Sequence, residues 1–273
     1  MKEYIKKMLV KLNIDKAVYS IFLLFFRIKP KVIVKRSGIT YKLDRSELID
    51  RGIYFGGWER LTIEFIDNYV KPGYVVIEVG ANVGSHTLNI AKKVGINGKV
   101  YAFEPTNFAR GKLADNIQLN ENLAPIVEVC NYLVTDHDNS VPRRDVRSSW
   151  NISDKDHFFS EKVISDSISL DAFTKINDIN KVDVIKVDVD GYDCKVIFGA
   201  SEIIKKNKPI VYIELCEYAL NEQGNSIDEL FLFFSDMGYS KVLHEDGTSI
   251  HSPSQVKSII GLDRSINAIF LFD

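Results

Sequence analysis

The sequence predicts an α/β protein whose doubly wound, Rossmann-like sheet ends in an antiparallel hairpin and follows an N-terminal helical extension. Three observations support this fold class. Short apolar runs alternate with segments of helical periodicity, a glycine turn follows the first buried run, and no full helix is predicted between the last two strands. Strands that alternate with helices favour a parallel sheet covered on both faces, whereas two successive strands favour antiparallel pairing.

The composition fits one large domain in a reducing compartment. The chain has 273 residues, 45% of them hydrophobic and 26% charged, which suffices for a well-buried core. Its three cysteines, Cys130, Cys194 and Cys216, lie far apart and form no CxxC pair, so neither a disulfide framework nor a structural zinc site is predicted. No small-residue cleavage site closely follows the N-terminal apolar run, so no cleavable signal peptide is indicated and a cytoplasmic location is expected.

Residues 1–36 are predicted to form a basic helical extension, and residues 37–273 the main domain. The extension holds ten Lys or Arg and two acids, a net charge of +8, which leaves −10 for the rest of a chain whose formal net charge is −2. Its apolar run over residues 17–26 rises about 15 Å as a helix, half of a hydrocarbon core of about 30 Å. Two interpretations stay open: a helix pair that caps the domain or forms a homodimer interface, and a peripheral anchor at the inner face of a membrane. The acidic main domain argues against nucleic acid as a partner.

The elements of the main domain follow from local patterns. A hairpin is predicted over residues 32–43 around Ser37-Gly38, and the apolar run Val75–Val79 is typical of a buried parallel strand. Residues 136–161 form the longest polar, irregular stretch, which we interpret as a lid. The remaining predicted elements are helices over 60–70, 85–94, 107–120, 169–177, 192–204 and 226–237, and strands over 99–103, 127–134, 182–187, 209–215, 239–244 and 267–272.

A nucleotide site is predicted where the first two parallel strands end. Gly80 and Gly84 bracket the turn after the first strand, and Glu104 follows the second. Such glycines let backbone N–H groups approach a ligand, and such an acid accepts hydrogen bonds from ribose hydroxyls. The GxxxG spacing differs from the GxGxxG of dinucleotide enzymes, and Glu78 at the entrance of the turn would repel a pyrophosphate. A carboxylate there suits a cationic ligand such as S-adenosylmethionine, with a βαβ crossover that binds nothing as the alternative.

Several motifs together resemble one protein family. They are GGWE (56–59), KPGYVVIEVGANVGSHTL (71–88), FEP (103–105), LVTD (133–136), SLDAF (169–173), DVIKVDVDGYDCKVIFGA (183–200) and PIVYIE (209–214). The sequence is thereby similar, over about residues 50–272, to the FkbM family of S-adenosylmethionine-dependent methyltransferases. EVGANVG and KVDVDG, in this order and separation, are the most specific motifs. The resemblance implies a class I methyltransferase fold.

The resemblance also implies roles for individual residues. The residues expected to bind the cofactor are Glu78, Gly80, Asn82 and Gly84 at its methionine part, Glu104 at the ribose, and Thr135 with Asp136 at the adenine edge. Asp188 ends a parallel strand and is the first candidate for the base that removes the proton of the methyl acceptor, with Glu214 and His86 as further candidates. The alternative for Asp188 is a helix cap. Spacing alone does not support Mg²⁺ binding by these acids, so no metal is predicted.

The predicted function is O-methylation of a hydroxyl on a sugar, a glycan or another polar metabolite, and the assignment to glycan biosynthesis comes from the resemblance. Two alternatives stay open. One is N- or carboxyl-methylation of a peptide-like or secondary metabolite. The other is a cofactor-binding partner of a glycosyltransferase that has no catalytic activity.

Overall fold

The computed structural model describes residues 30–137, 145–150, 158–162, 166–261 and 264–272. The predicted N-terminal helices and most of the predicted lid lie outside the described residues. Among the helices that are described, none combines the length and apolar character needed to cross a membrane.

An antiparallel hairpin and two helices precede the sheet. Strand β1 (Lys31–Arg36) pairs with β2 (Ile39–Asp44), as predicted, and helices α1 (Leu48–Phe55) and α2 (Arg60–Tyr69) follow. Because residues 31–36 form a strand, they belong to this hairpin and not to the helical extension in which they were included. Helix α1 was not predicted, since its glycine and aromatic residues interrupt the helical pattern.

Alternating strands and helices make up the rest of the fold. The first half contains β3 (Val75–Val79), α3 (Thr87–Val94), β4 (Lys99–Phe103), α4 (Asn107–Gln118), β5 (Val127–Cys130), β6 (Leu133–Val134), β7 (Asp145–Trp150), β8 (Phe158–Lys162) and β9 (Ser167–Ile168). The second half contains α5 (Leu170–Ile176), β10 (Val184–Val187), α6 (Asp193–Phe198), α7 (Ser201–Asn207), β11 (Ile210–Leu215), α8 (Glu217–Glu222), α9 (Ile227–Asp236), β12 (Lys241–His244), β13 (Ser249–Ile250), α10 (Pro253–Ile260) and β14 (Ile266–Leu271).

Eight of the described strands form one sheet in the order β13-β12-β14-β11-β10-β3-β4-β5. Strands β5, β4, β3, β10 and β11 are parallel to one another, and β14 lies antiparallel between β11 and β12. This order, with its crossover from β3 to β10, is that of a doubly wound Rossmann-like sheet that ends in antiparallel strands. The predicted fold class is confirmed.

The connection between the last two predicted strands differs from the prediction. Helix α10 lies between them and begins after Ser252, whose side chain accepts a hydrogen bond from the backbone N–H of Gln255. Pro253 occupies the first helical turn, where its missing N–H is not needed. Only two residues of this helix are buried, Val256 and Ile260, and the otherwise polar composition of the segment does not predict a packed helix.

Two further predicted elements are divided. The single helix predicted over 192–204 is split into α6 and α7 at Gly199, where a Cβ would lie 2.3 Å from the carbonyl oxygen of Thr135. The strand predicted over 127–134 is split into β5, which joins the main sheet, and β6, which pairs with β9. Both breaks occur where distant segments pack together, so local patterns did not predict them.

The two faces of the sheet carry separate hydrophobic cores. Helices α2, α3 and α4 and the N-terminal hairpin cover one face, through residues such as Phe65, Leu88 and Leu113. Helices α5 to α10 cover the other face, through residues such as Phe173, Val196 and Phe234. A core on both faces is the arrangement expected of a doubly wound fold.

A row of polar side chains interrupts the first of these cores. Glu78 on β3 lies opposite Lys186 on β10, which in turn lies opposite Tyr212 on β11, and all three side chains are buried. Because buried polar and charged groups are costly unless they are paired, this row marks the part of the sheet where a functional site is expected.

Candidate active site

The glycine turn after β3 is shaped by two close approaches of the chain. Gly80 has a φ of +91°, and a Cβ there would lie 2.0 Å from the backbone oxygen of Asp188. Gly84 has a φ of +86°, and its Cβ would lie 2.6 Å from Cδ1 of Leu113. The N–H groups of Gly80 and Ala81 both donate to the carbonyl oxygen of Phe103. The turn is therefore fixed between β4 and β10 and leaves no room for a side chain at Gly80 or Gly84.

Glu104 lies beside this turn and is buried. Its Oε2 accepts a hydrogen bond from the N–H of Asn82 (2.9 Å), and its Oε1 accepts from the N–H (2.9 Å) and Oγ1 (2.5 Å) of Thr106. Burial raises the pKa of Glu104 although these hydrogen bonds favour the carboxylate. A carboxylate offers about four acceptor positions, so among the described contacts one remains for a ligand hydroxyl. Two were expected.

Asn82 contributes a second acceptor to the turn. Its φ of +48° is a left-handed conformation that asparagine tolerates better than most residues. Its side-chain Oδ1 is buried and has no hydrogen-bond partner within the described part of the chain. A buried acceptor without a partner indicates a position where a ligand donor is expected.

Lys186 is buried between two carboxylates. Its Nζ lies 3.3 Å from Oδ2 of Asp188 and 3.9 Å from Oε1 of Glu78. Burial by itself lowers the pKa of Lys186, but the charges of Asp188, Glu78 and Glu59 outweigh it and raise the pKa above its usual value. The lysine therefore stays charged and favours the ionised form of Glu78.

Glu78 lies beneath the turn and is completely buried. Its Oε2 accepts a hydrogen bond from Oγ1 of Thr87 (2.6 Å), while Oε1 lacks a hydrogen-bond partner in the residues described. Burial raises the pKa of Glu78 to about 7, against the opposing charge of Lys186. Near neutral pH this group is therefore poised between the two protonation states.

Asp188 and Glu214 lie at the ends of adjacent parallel strands. About a third of the Asp188 side chain is exposed, so its carboxylate faces the open edge of the sheet. Glu214 accepts a hydrogen bond from Oγ of Ser265 (2.6 Å), and burial together with the charge of Asp188 raises its pKa to about 8. At neutral pH Glu214 is mainly protonated, and it is a weaker candidate for a base than Asp188.

His86 lies at the same edge, together with a residue that was not predicted. Its Nε2 is 3.2 Å from Oε2 of Glu59, at the beginning of α2. Burial and the charge of Lys186 lower the pKa of His86 well below its usual value, so the imidazole is neutral. Burial and the charge of Asp188 raise the pKa of Glu59 to about 7. The GGWE motif contains Glu59, and it was the signal that could have identified this residue.

Thr135 and Asp136, the predicted adenine contacts, lie at the end of β6. Oγ1 of Thr135 donates to Oδ1 of Asp136 (2.9 Å), which also lies 3.0 Å from Nδ1 of His137. The N–H of Thr135 donates to the carbonyl oxygen of Ile168 on β9. Their contacts thus belong to the β6–β9 pair, and a role at adenine stays a prediction.

The possible metal ligands and the position of a nearby cavity help to delimit the site. In the ranges that are described, no three His, Cys, Asp or Glu side chains are grouped so that they could hold a metal ion. A cavity of about 530 Å³ lies along the edge strand β5 and helix α5, lined by residues such as Cys130, Tyr132 and Phe173. This cavity is separated from β10 by two strands, so it is distinct from the cluster of charged groups.

Asp193, at the first turn of α6, gives the site a testable pH dependence. Burial raises its pKa to about 7, so the folded protein holds a proton that the unfolded chain releases near pH 4. Stability from this group is therefore lost as the pH rises from about 4 to 7, by at most about 1.4 kcal/mol per pH unit. In Asp193→Asn this loss is absent. We expect the melting temperature of the variant, relative to wild type, to be higher at pH 8 than at pH 5. A difference that does not change with pH would show that Asp193 is ionised throughout.

Comparison with known proteins identifies the family. The model of the methyltransferase FkbM domain matches residues 78–241, which is more than half of the chain. The chain belongs to the methyltransferase FkbM family. The family predicted from the sequence motifs is confirmed, and with it membership of a class of methyltransferases. The region matched to the FkbM domain begins at Glu78 and includes Glu104, Asp188 and Glu214. None of the curated proteins matches the sequence.

Solved structures of the FkbM family and of other methyltransferases are similar to this chain at low identity. A methyltransferase FkbM from Methylobacillus flagellatus is 15% identical with a TM-score of 0.46, covering 76% of this chain and 50% of its own length. Fibrillarin from Aeropyrum pernix, with bound S-adenosyl-L-methionine, is 12% identical with a TM-score of 0.45, covering 88% and 82%. A SAM-dependent methyltransferase from Aquifex aeolicus is 16% identical with a TM-score of 0.43, covering 78% and 91%. The chain thus spans half the length of the Methylobacillus protein.

Proposed function

We propose that the protein transfers a methyl group from S-adenosylmethionine to a hydroxyl oxygen of a sugar or another small polyhydroxylated molecule. The observation that carries this proposal is the juxtaposition of the glycine turn with Asp188. A Cβ on Gly80 would lie 2.0 Å from the backbone oxygen of Asp188, so the turn and the candidate base adjoin each other. Ligands of open α/β sheets bind at this edge, beyond the carboxyl ends of the strands.

The residues around the turn fit S-adenosylmethionine. In the turn between Gly80 and Gly84, Oδ1 of Asn82 is an unpaired buried acceptor as far as the structure is described. The remaining acceptor position of Glu104 suits a ribose hydroxyl. The partly ionised carboxyl of Glu78 suits the positive charge of the methionine part, and Thr135 and Asp136 stay the candidates for adenine. When bound, the cofactor supplies an electrophilic methyl group.

Asp188 is the residue we propose as the base. Oxygen acceptors must lose a proton when they are methylated, and the base has to lie within hydrogen-bond distance of that proton. The carboxylate of Asp188 is partly exposed and is held at 3.3 Å by Nζ of the buried Lys186. This ion pair orients the carboxylate, which can accept the proton of a bound acceptor.

The charge of the site supports a neutral, hydroxyl-bearing acceptor. Glu59, Asp188 and Glu214 all lie at this edge, and the charge of Asp188, together with burial, raises the pKa of both Glu59 and Glu214. Carboxylates accept hydrogen bonds from hydroxyl groups, whereas they repel the phosphates of nucleic acids and nucleotides. The net charge of −10 over residues 37–273 acts in the same direction.

A panel of acceptors tests this proposal. Purified full-length protein is incubated with S-adenosylmethionine and, separately, neutral glycosides, amino sugars, carboxylic acids or RNA, and release of S-adenosylhomocysteine is measured. We expect turnover with neutral glycosides, and a methyl ether in the product by mass spectrometry. Turnover with amino sugars, acids or RNA in place of glycosides would contradict the choice of a hydroxyl. Any turnover above the no-acceptor control would exclude the alternative of a non-catalytic partner of a glycosyltransferase.

Replacement of Glu104 tests the cofactor site independently of the acceptor. Glu104→Ala removes the ribose acceptor, and hydrogen bonds to a charged group contribute about 1.5–3 kcal/mol, so we expect an affinity for S-adenosylmethionine about 10- to 100-fold lower. Isothermal titration calorimetry measures the affinity. Glu128→Ala is the control, because Glu128 lies on the neighbouring strand β5 and pairs at the surface with Lys99. Equal affinities for Glu104→Ala and wild type would exclude the ribose role.

A further inference from the structure

Two polar atoms at the edge of the sheet lie close together without forming a hydrogen bond. Nε2 of His86 is 3.2 Å from Oε2 of Glu59, yet within the described residues this nitrogen has no hydrogen-bond partner. The distance is short enough, so the orientation of the ring must prevent the bond. The His86 side chain is only 6% exposed, whereas 36% of the Glu59 side chain is exposed. The pair is thus open to a ligand on the side of Glu59.

The chemistry of this pair selects a hydroxyl group. The imidazole is neutral, so Nε2 donates a hydrogen bond in the tautomer that carries the ring proton on this nitrogen, and an ionised carboxylate only accepts. A hydroxyl can donate to Glu59 and accept from His86 at the same time. An ammonium group can only donate, and an ether oxygen can only accept. A hydroxyl therefore forms hydrogen bonds with both Glu59 and His86, whereas an ammonium group or an ether oxygen forms one with only one of them.

Contacts of helix α2 with strand β11 help to position Glu59. Oγ1 of Thr62 is 2.8 Å from the hydroxyl oxygen of Tyr212, and the ring of Phe65 lies 4.2 Å from the Tyr212 ring, centroid to centroid. Oγ1 of Thr62 also donates to Oε2 of Glu59, at 3.4 Å. These contacts hold the first turn of α2 against β11, next to β10 and Asp188.

The backbone at Glu59 is strained in a way that supports a functional role. Its φ of +40° is a left-handed conformation that residues other than glycine seldom adopt. Strained conformations of this kind persist where the surrounding structure enforces them, and they are concentrated at functional sites. In this conformation the Glu59 carboxylate lies beside His86.

We propose that Glu59 and His86 together bind a second hydroxyl of the acceptor, beside the hydroxyl that is methylated at Asp188. This inference rests on the proposed function and narrows it, because the acceptor must then carry at least two hydroxyls. Glu59 is a binding residue here, and Asp188 keeps the role of the base. The pair recognises a hydroxyl that is not itself methylated.

Deoxy analogues of the acceptor test the inference. The acceptor identified with the panel is compared with analogues that each lack one hydroxyl, for wild type and for Glu59→Gln. In wild type, we expect loss of the recognised hydroxyl to lower kcat/KM at least about 100-fold, because the polar pair is left unsatisfied. Glu59→Gln should lower kcat/KM for the full acceptor about 10-fold or more, mainly through KM, and should reduce the discrimination against that analogue to a few-fold.

A matched control and a folding check accompany this experiment. Glu64→Gln makes the same change one turn along α2, where Glu64 forms only a surface ion pair with Arg60 in the described structure, and it should behave as wild type. The melting temperature of Glu59→Gln should stay within a few degrees of wild type, and its affinity for S-adenosylmethionine should be unchanged.

The outcomes separate this inference from the proposed function. The inference would be overturned if wild type is active and Glu59→Gln discriminates against the deoxy analogue as strongly as wild type does. The proposed function would then stay intact. Wild-type protein that methylates none of the hydroxyl acceptors would overturn both.

Discussion

The Asp188→Asn variant is expected to have a kcat about 10²- to 10⁴-fold below wild type and an unchanged affinity for S-adenosylmethionine. General bases contribute effects of this size, and an amide cannot accept the proton of the acceptor. Asparagine has the same shape as aspartate and still accepts a hydrogen bond from Lys186, so the geometry of the site should be retained. Initial rates of S-adenosylhomocysteine release give kcat, and calorimetry gives the affinity.

Asp190→Asn is the control for this experiment. Asp190 lies two residues further along, is exposed, and has a φ of +49°, a conformation that asparagine tolerates. Its replacement should leave kcat within about twofold of wild type, as is usual for surface substitutions. If the kcat of Asp188→Asn also stayed within tenfold of wild type, Asp188 would not be the base, and His86 would become the leading candidate.

Gly80→Ala is expected to show the largest loss of stability among single substitutions at the glycine turn. The new Cβ would lie 2.0 Å from a backbone oxygen, which cannot move as a flexible side chain could, and the φ of +91° is unfavourable for alanine. We expect the free energy of unfolding to fall by about 3 kcal/mol or more, and the melting temperature by about 6–12 °C. Because the clash displaces Asp188 from the turn, binding of S-adenosylmethionine should be lost as well.

Gly111→Ala provides the opposite result in the same protein. Gly111 lies inside helix α4, and apart from its chain neighbours and the backbone of its own helix no described atom is within 4 Å of the position of its Cβ. Alanine is favoured over glycine inside helices, so the variant should be more stable by about 0.5–1 kcal/mol. A Gly80→Ala protein that melts within 2 °C of wild type would show that the turn can move away from β10.

Some features of the fold and the site depend only on local sequence patterns, and others depend on distant segments. The strand Val75–Val79, the glycine turn and the position of Glu104 were predictable, because apolar runs and turn residues are local properties of the chain. The reason that Gly80 must be glycine was not predictable, since it depends on a carbonyl oxygen more than a hundred residues away.

The role inferred for Glu59 could not be predicted for a similar reason. Its position depends on the docking of α2 against Tyr212, which only the sheet order determines. Glu214 illustrates the converse case. Its position at a strand end was correctly predicted, but burial and its neighbours leave it mainly protonated at neutral pH. Local patterns thus located the strand ends, and the packing of distant segments determined the chemistry there.

The position of β14 has a consequence for protein synthesis. This strand is later in the sequence than β12, yet it lies between β11 and β12 and supplies both with their hydrogen-bonding partner. While the chain is being made, the strands β3, β4, β5, β10 and β11 can assemble first, but β12, which also pairs with β13, cannot be linked to them until residues 266–271 have emerged from the ribosome. Until then the nascent protein exposes the hydrophobic edge of β11. A pause in translation shortly before residue 266 would therefore prolong the stage at which the protein is most exposed to aggregation and most dependent on chaperones.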